Sequence, residues 1–246
     1  MHSHGATALA GFYPADGRVR MEGTTQHIYA DTALQQFRGS PHTRLLIMLR
    51  EPAARILSLY RYVAEHQCNL EGVSFPCYVD YLLTGEIEAL RHHFANQSAY
   101  FALRDALHHT VYGFWLERWR PELDEGRLRV MLFEEYRADP RRVLKVTSSW
   151  LGIDPKFYDT YQPERSNVTH TTRFRSLHRF VRCQGGRLPA GMKPAWAVGL
   201  YRRLQAAPRE DTGEEKALQR LREYFRPMTV QVASEYHLPV TEWWGA

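Results

Sequence analysis

Three cysteines in 246 residues, Cys68, Cys77 and Cys183, are too few for a disulfide-built scaffold and fit no zinc-ligand spacing. Cys68 and Cys77 could close a short loop in an oxidising compartment, or all three could remain thiols. No run approaches the roughly 18 apolar residues of a membrane-spanning helix. The opening Met1-His2-Ser3-His4-Gly5 lacks the basic-then-apolar order of a secretory leader. Lysine is nearly missing: of 32 basic residues only Lys145, Lys156, Lys193 and Lys216 are lysines, leaving 28 arginines. There is no Gly-x-x-x-x-Gly-Lys-Ser/Thr, which excludes a phosphate-loop kinase, and no His-Glu-x-x-His helix. The twelve histidines, with the pairs His92-His93 and His108-His109, therefore read as surface or half-buried side chains, and no metal is expected.

What remains is ordinary globular composition, 44% hydrophobic and 24% charged, with a net charge of +5. That is enough chain to bury a core without staples. Arginine is the fork-shaped donor for phosphate, sulfate and carboxylate, although genomic base composition explains an arginine surplus equally well. The arginines are scattered rather than striped, which argues against a nucleic-acid binder. Two glycosylation sequons, at Asn96 and Asn167, are what chance supplies.

Arg18 to Met21 reads as a short strand and Asp31 to Phe37 as a helix. Arg44 to Leu49 is continuously apolar after its first residue, the pattern of a central parallel strand covered on both faces. Pro52 opens the next helix, with Ile56, Leu59, Tyr60 and Val63 on one side. A short helix is expected around Val79 to Leu83, then a long one from Tyr100 to Trp119. Leu128 to Phe133 reads as a second buried strand, followed by a helix capped by Asp139 and stopped by Gly152. Residues 154–212 are basic and weakly periodic, and the last helix should kink or break before Pro227. Alternating strands and helices predict one α/β domain over 1–246, with 1–17 flexible.

The informative run is Leu49-Arg50-Glu51-Pro52-Ala53-Ala54-Arg55-Ile56-Leu57-Ser58. Arg50 stands at the carboxyl end of a strand, where open α/β sheets place their ligands. A helix starts immediately afterwards, so free backbone N–H groups are expected to face the same crevice. Ser58, two turns on, can add a hydroxyl. Arginine, helix start and hydroxyl together suit a phosphate, and also arise by accident at strand–helix junctions.

The run resembles the 3′-phosphate-binding motif of sulfotransferases that use 3′-phosphoadenosine 5′-phosphosulfate: a strand, Leu-Arg-x-Pro, Arg three residues on, Ser three further. Arg50, Pro52, Arg55 and Ser58 match. The resemblance implies that Arg50 and Ser58 bind the 3′-phosphate; Arg55 can equally be structural, pairing with a carboxylate. Val111 to Trp119, the passage from Arg129 through Asp139-Pro140 to Leu151-Gly152, and Leu221 to Met228 followed by Trp243-Trp244 resemble further family stretches, best those of the heparan and chondroitin group. The implied fold is a three-layer, P-loop-like sulfotransferase fold with a central parallel sheet flanked by helices. The implied reaction moves a sulfuryl group to a carbohydrate hydroxyl without a metal, with no nucleic-acid or membrane partner.

One family signature is missing. The loop around the 5′-phosphosulfate, Lys-x-Gly-Thr-Thr, has only Gly23-Thr24-Thr25 here, preceded by Met21-Glu22. A glutamate there would repel the donor, so the stretch aligns better with a later strand that ends in Glu. The expectation is an N-terminally incomplete domain that lacks its first strand, with an apolar slot left beside Leu45 to Leu49, and no catalytic residue carries over. Arg173, Arg175, Arg182 and Arg187 around Gly185-Gly186 could supply a second phosphate-contacting loop. Glu134 and Glu135 follow a strand and could reach the cleft, but read better as caps or ion-pair partners. An inactive or truncated homologue that holds a nucleotide or a partner is the alternative function. As to location, the resemblance implies the Golgi lumen for part of a longer, membrane-anchored eukaryotic chain, and the cytoplasm otherwise.

Overall fold

The computed structural model describes residues 21–162 and 213–245; Arg18 to Arg20 and the arginines between 173 and 187 lie outside them. The fold is α/β and rich in helix, with a two-stranded parallel sheet among the described residues. Contacts divide the chain into two compact units, Met1–Met48 with Phe114–Met131, and Leu49–Gly113 with Leu132–Ala246.

In the first unit, a 3-10 turn at His27–Tyr29 leads into α1 (Asp31–Arg38) and then β1 (Leu45–Leu49), which pairs with β2 (Leu128–Leu132). Trp119 is its anchor. Its ring meets Phe37 edge-on at 5.7 Å, and its indole N–H donates to the Ile28 carbonyl at 3.1 Å. Leu34 and Leu128 complete the buried cluster, with Leu45, Ile47 and Val130 against it. Glu122 is buried here at 1% exposure; Oε1 accepts from Arg38 Nε at 2.9 Å, and Oε2 has no hydrogen-bond partner. The expectation that β1 is covered on both faces fails. Leu46 and Met48 are 44% and 45% exposed while Leu49 is buried, so the strand alternates as one with a single packed face does.

The second unit is built around α2 (Pro52–Arg61) and α10 (Glu214–Tyr236), which pack on each other. The helices between them in the chain are α3 (Phe75–Thr84), α4 (Gln97–Arg104), α5 (Tyr112–Arg118), α6 (Arg120–Asp124), α7 (Phe133–Ala138), α8 (Pro140–Leu151) and α9 (Phe157–Thr160); α5 and α6 belong wholly or mostly to the first unit. The core takes Ala53, Ile56, Leu57 and Tyr60 from α2, Tyr78, Val79 and Leu82 from α3, and Leu218, Leu221 and Phe225 from α10. Burying an aliphatic or aromatic side chain of this size contributes about 1.5–3 kcal/mol, so this interface outweighs any single polar contact in the unit. Tyr60 and Tyr78 stack at 5.6 Å, and their hydroxyls donate to the carbonyls of Val73 and Leu103. Arg61 at the end of α2 pairs with Glu214 at the start of α10, 2.6 Å apart.

Three helix expectations are corrected. The helix near Val79 is longer than expected, capped by the Ser74 hydroxyl and closed by Gly85 in the left-handed conformation that glycine accepts without strain. The helix expected over Tyr100 to Trp119 is instead the end of α4, a 3-10 turn at His108–Thr110 and α5. The break has a local cause: the Thr110 hydroxyl donates to the Ala106 carbonyl and accepts from Arg55 at 2.8 Å, which draws that turn toward α2. Conversely, α10 runs unbroken through Pro227. Pro227 is exposed, and Phe225 and Thr229 on either side are buried, so tertiary packing offsets the one missing backbone hydrogen bond. The Asp139 cap and Gly152 stop of α8 are as expected. Met21 is not in a strand.

Candidate functional site

Arg50 follows β1 directly, and Phe133 follows β2, so the parallel strands deliver both residues at their carboxyl ends. The guanidinium lies over the Phe133 ring, 4.9 Å from its centre. It is half-buried, and among the described residues it forms no ion pair within 4.0 Å and no hydrogen bond. Burial lowers its pKa from the usual arginine value, against the raising influence of Glu134, Tyr112 and Glu51. A partly desolvated guanidinium with no carboxylate on it is the protein half of an anion site.

The backbone under Arg50 is held from both sides. The Tyr112 hydroxyl donates to the Arg50 carbonyl at 2.7 Å. Glu134 Oε1 accepts from the Glu51 N–H at 3.0 Å. Those two groups belong to one peptide plane. Glu134 Oε2 in turn accepts from the indole N–H of Trp244 at 2.9 Å, on the last helix, α11 (Val240–Trp244). Glu134 thus has a structural role, and Glu135 forms a loose ion pair with Arg142 at 3.9 Å.

The start of α2 does not offer the free N–H groups expected of it. Glu51 caps the helix with its own carboxylate: Oε1 accepts from Ala53 N–H at 3.0 Å and Oε2 from Ala54 N–H at 2.7 Å. Pro52 has no N–H to give, and the Arg55 N–H bonds the Glu51 carbonyl in the helix ladder. The cap already satisfies the donors and the helix dipole. Any anion at this end must be held by side chains.

Ser58 is half-buried in α2, one turn beyond Ala54 on the same side of the helix. No hydrogen bond joins it to Arg50. Arg55 donates to the Thr110 hydroxyl at 2.8 Å. In the first unit, the Glu22 carboxylate accepts from the Thr24 hydroxyl and pairs with His27 at 3.1 Å, so Gly23-Thr24-Thr25 sits in an acid-bearing turn. Among the described residues no cluster of three metal-type side chains occurs, and no helix is long and apolar enough to cross a membrane.

The chain is similar to the crystal structure of a sulfotransferase from Alicyclobacillus acidocaldarius. The TM-score is 0.58 at 18% identity, over 98% of this chain and 74% of the other. The fold is that of a sulfotransferase. No protein-family model matches the chain, and no curated protein matches it by sequence. In this sulfotransferase fold the residues around the Arg50 peptide, Tyr112, Glu134 and Trp244, stand far apart in the sequence, and nothing in its local pattern groups them.

Proposed function

We propose that the chain binds a nucleotide bearing a 3′-phosphate and that its reaction is sulfuryl transfer from 3′-phosphoadenosine 5′-phosphosulfate to a carbohydrate hydroxyl. The observation that carries the nucleotide reading is the half-buried Arg50 guanidinium without an ion pair at the carboxyl end of a parallel strand. Arg50 supplies the charge for the 3′-phosphate, and Ser58 on α2 a neutral donor. The sulfotransferase fold agrees with this chemistry, and the resemblance of Leu221 to Met228 to the glycosaminoglycan group supports a sugar acceptor. In the transfer, the acceptor oxygen forms a bond to sulfur as the bond from sulfur to the 5′-phosphate oxygen breaks; the hydroxyl proton leaves to a base, and the bisphosphate departs as an anion.

The test is calorimetric titration with adenosine 3′,5′-bisphosphate. Arg50→Ala should weaken binding by about 1.5–3 kcal/mol, the usual worth of a charged hydrogen bond. An unchanged affinity in that variant removes Arg50 from the site. The second reading, a nucleotide-holding homologue without activity, is favoured by the lack of a Lys-x-Gly-Thr-Thr loop in the sequence, whose nearest trace, Gly23-Thr24-Thr25, has Met21 at the lysine position and a Glu22 engaged with Thr24 and His27. Binding without transfer of labelled sulfate to any glycosaminoglycan would establish it.

A further inference from the structure

We infer that Trp244 and Glu134 are positioning residues for Arg50, forming a latch by which the last helix sets the orientation of the anion-binding guanidinium. The inference rests on the nucleotide reading above and extends it to groups that need not touch the ligand. The Arg50–Glu51 peptide is the hinge between β1 and α2, and it has two polar handles. Tyr112 takes the carbonyl and Glu134 the N–H, at 2.7 and 3.0 Å. A peptide gripped at both ends cannot flip, so the Cα–Cβ direction of Arg50 is fixed before any ligand arrives. The carboxylate that grips the N–H follows directly on Phe133, whose ring the guanidinium covers at 4.9 Å, so once released it lies within the reach of Arg50. The Trp244 indole prevents this by occupying its second oxygen at 2.9 Å. The indole is itself fixed: Trp244 is 8% exposed, and its ring lies 6.0 Å from that of Tyr112. Tyr112 and Trp244 therefore brace each other, the first holding the peptide's carbonyl and the second the carboxylate that accepts from its N–H. Without the indole, Glu134 is released toward the nearest cation. An Arg50 neutralised in that way is lost to phosphate.

Two measurements on the full chain test this. The first needs no ligand: hydrogen exchange at the Glu51 amide. Trp244→Phe keeps the ring and removes the donor, and should speed exchange at Glu51 about five- to tenfold while the amides of α3 stay as in the parent protein. Unchanged exchange at Glu51 overturns the latch whatever the protein binds, and uniform acceleration across α3 reduces Trp244 to a stability residue. The second is the ratio of affinities for adenosine 3′,5′-bisphosphate and adenosine 5′-phosphate, which isolates the 3′-phosphate. Trp244→Phe should lower that ratio about five- to tenfold, whereas Glu134→Gln, which has no charge to place on the guanidinium, should leave it no lower than in the parent protein. In an Arg50→Ala background both changes should have no effect on the ratio. If the parent protein shows no preference for the 3′-phosphate, the nucleotide reading fails and the exchange result alone decides the latch. If the parent prefers it and Trp244→Phe keeps the full ratio, or Glu134→Gln loses as much of it as Trp244→Phe does, the latch fails and the nucleotide reading stands.

Discussion

Glu51 should oppose the ligand that its neighbour Arg50 attracts, so replacing it should move stability and affinity in opposite directions. Its carboxylate holds two helix N–H groups, at 3.0 and 2.7 Å. Each hydrogen bond contributes about 1 kcal/mol net, and loss of a capping side chain costs up to about 2 kcal/mol. Glu51→Ala should therefore destabilise the fold by about 2 kcal/mol, or about 4–8 °C in melting temperature for a chain of this size. The same change removes a negative charge that already acts on Arg50, and it uncovers the Ala53 and Ala54 N–H groups. Two unit charges 4 Å apart repel by about 1 kcal/mol even in bulk water, so affinity for adenosine 3′,5′-bisphosphate should rise about fivefold. Glu51→Gln keeps one acceptor oxygen and should lose about half the stability. Thermal melts give the first quantity and calorimetric titration the second. Affinity that falls along with the melting temperature would show that Glu51 helps to build the site, and the competition described here would be wrong.

Two further outcomes follow from other parts of the molecule. Arg38→Ala strips the cation from a carboxylate that is 1% exposed and should cost about 2–3 kcal/mol in urea melts; adding Glu122→Leu should restore most of it, and failure of that rescue would show that the ion pair is not what holds α1. Burial, and secondarily the charge of Arg55, lowers the pKa of His109 below its usual 6.5, so the fold favours the neutral ring. Stability from this group is full above pH 6.5 and is lost as pH falls through the lower folded value, so melting temperature should drop as pH is taken below 6.5 and His109→Gln should flatten the drop; an identical slope in the variant would refute it.

The strand–arginine–helix frame was legible because each part is local: an apolar run, a proline at a helix start, and i, i+4 spacing. The capping role of Glu51 was local too, but a glutamate beside an arginine draws attention to charge, and the two N–H groups that it satisfies are invisible in a string of letters. The tie from Glu134 to Trp244 spans 110 residues and depends on which way two side chains turn at the mouth of the fold. Periodicity misled at Tyr100 to Trp119, since Leu103, Leu107, Val111 and Phe114 keep helical spacing across a break set by Thr110 and Arg55. Pro227 misled in the opposite sense: local chemistry favoured a break, and the packing of Leu221, Phe225 and Val232 overrode it.

The peptide plane under Arg50 is completed by residues that the ribosome delivers at widely separated times. Tyr112 follows it by 62 positions and Glu134 follows Glu51 by 83, while Trp244 comes 110 after Glu134. A nascent chain that has emerged as far as α8 already carries Arg50, Tyr112 and Glu134, but its glutamate still has an open oxygen. The arrangement around that plane is therefore complete only once α11 has been made, and it cannot form while the chain has been synthesised only as far as α8.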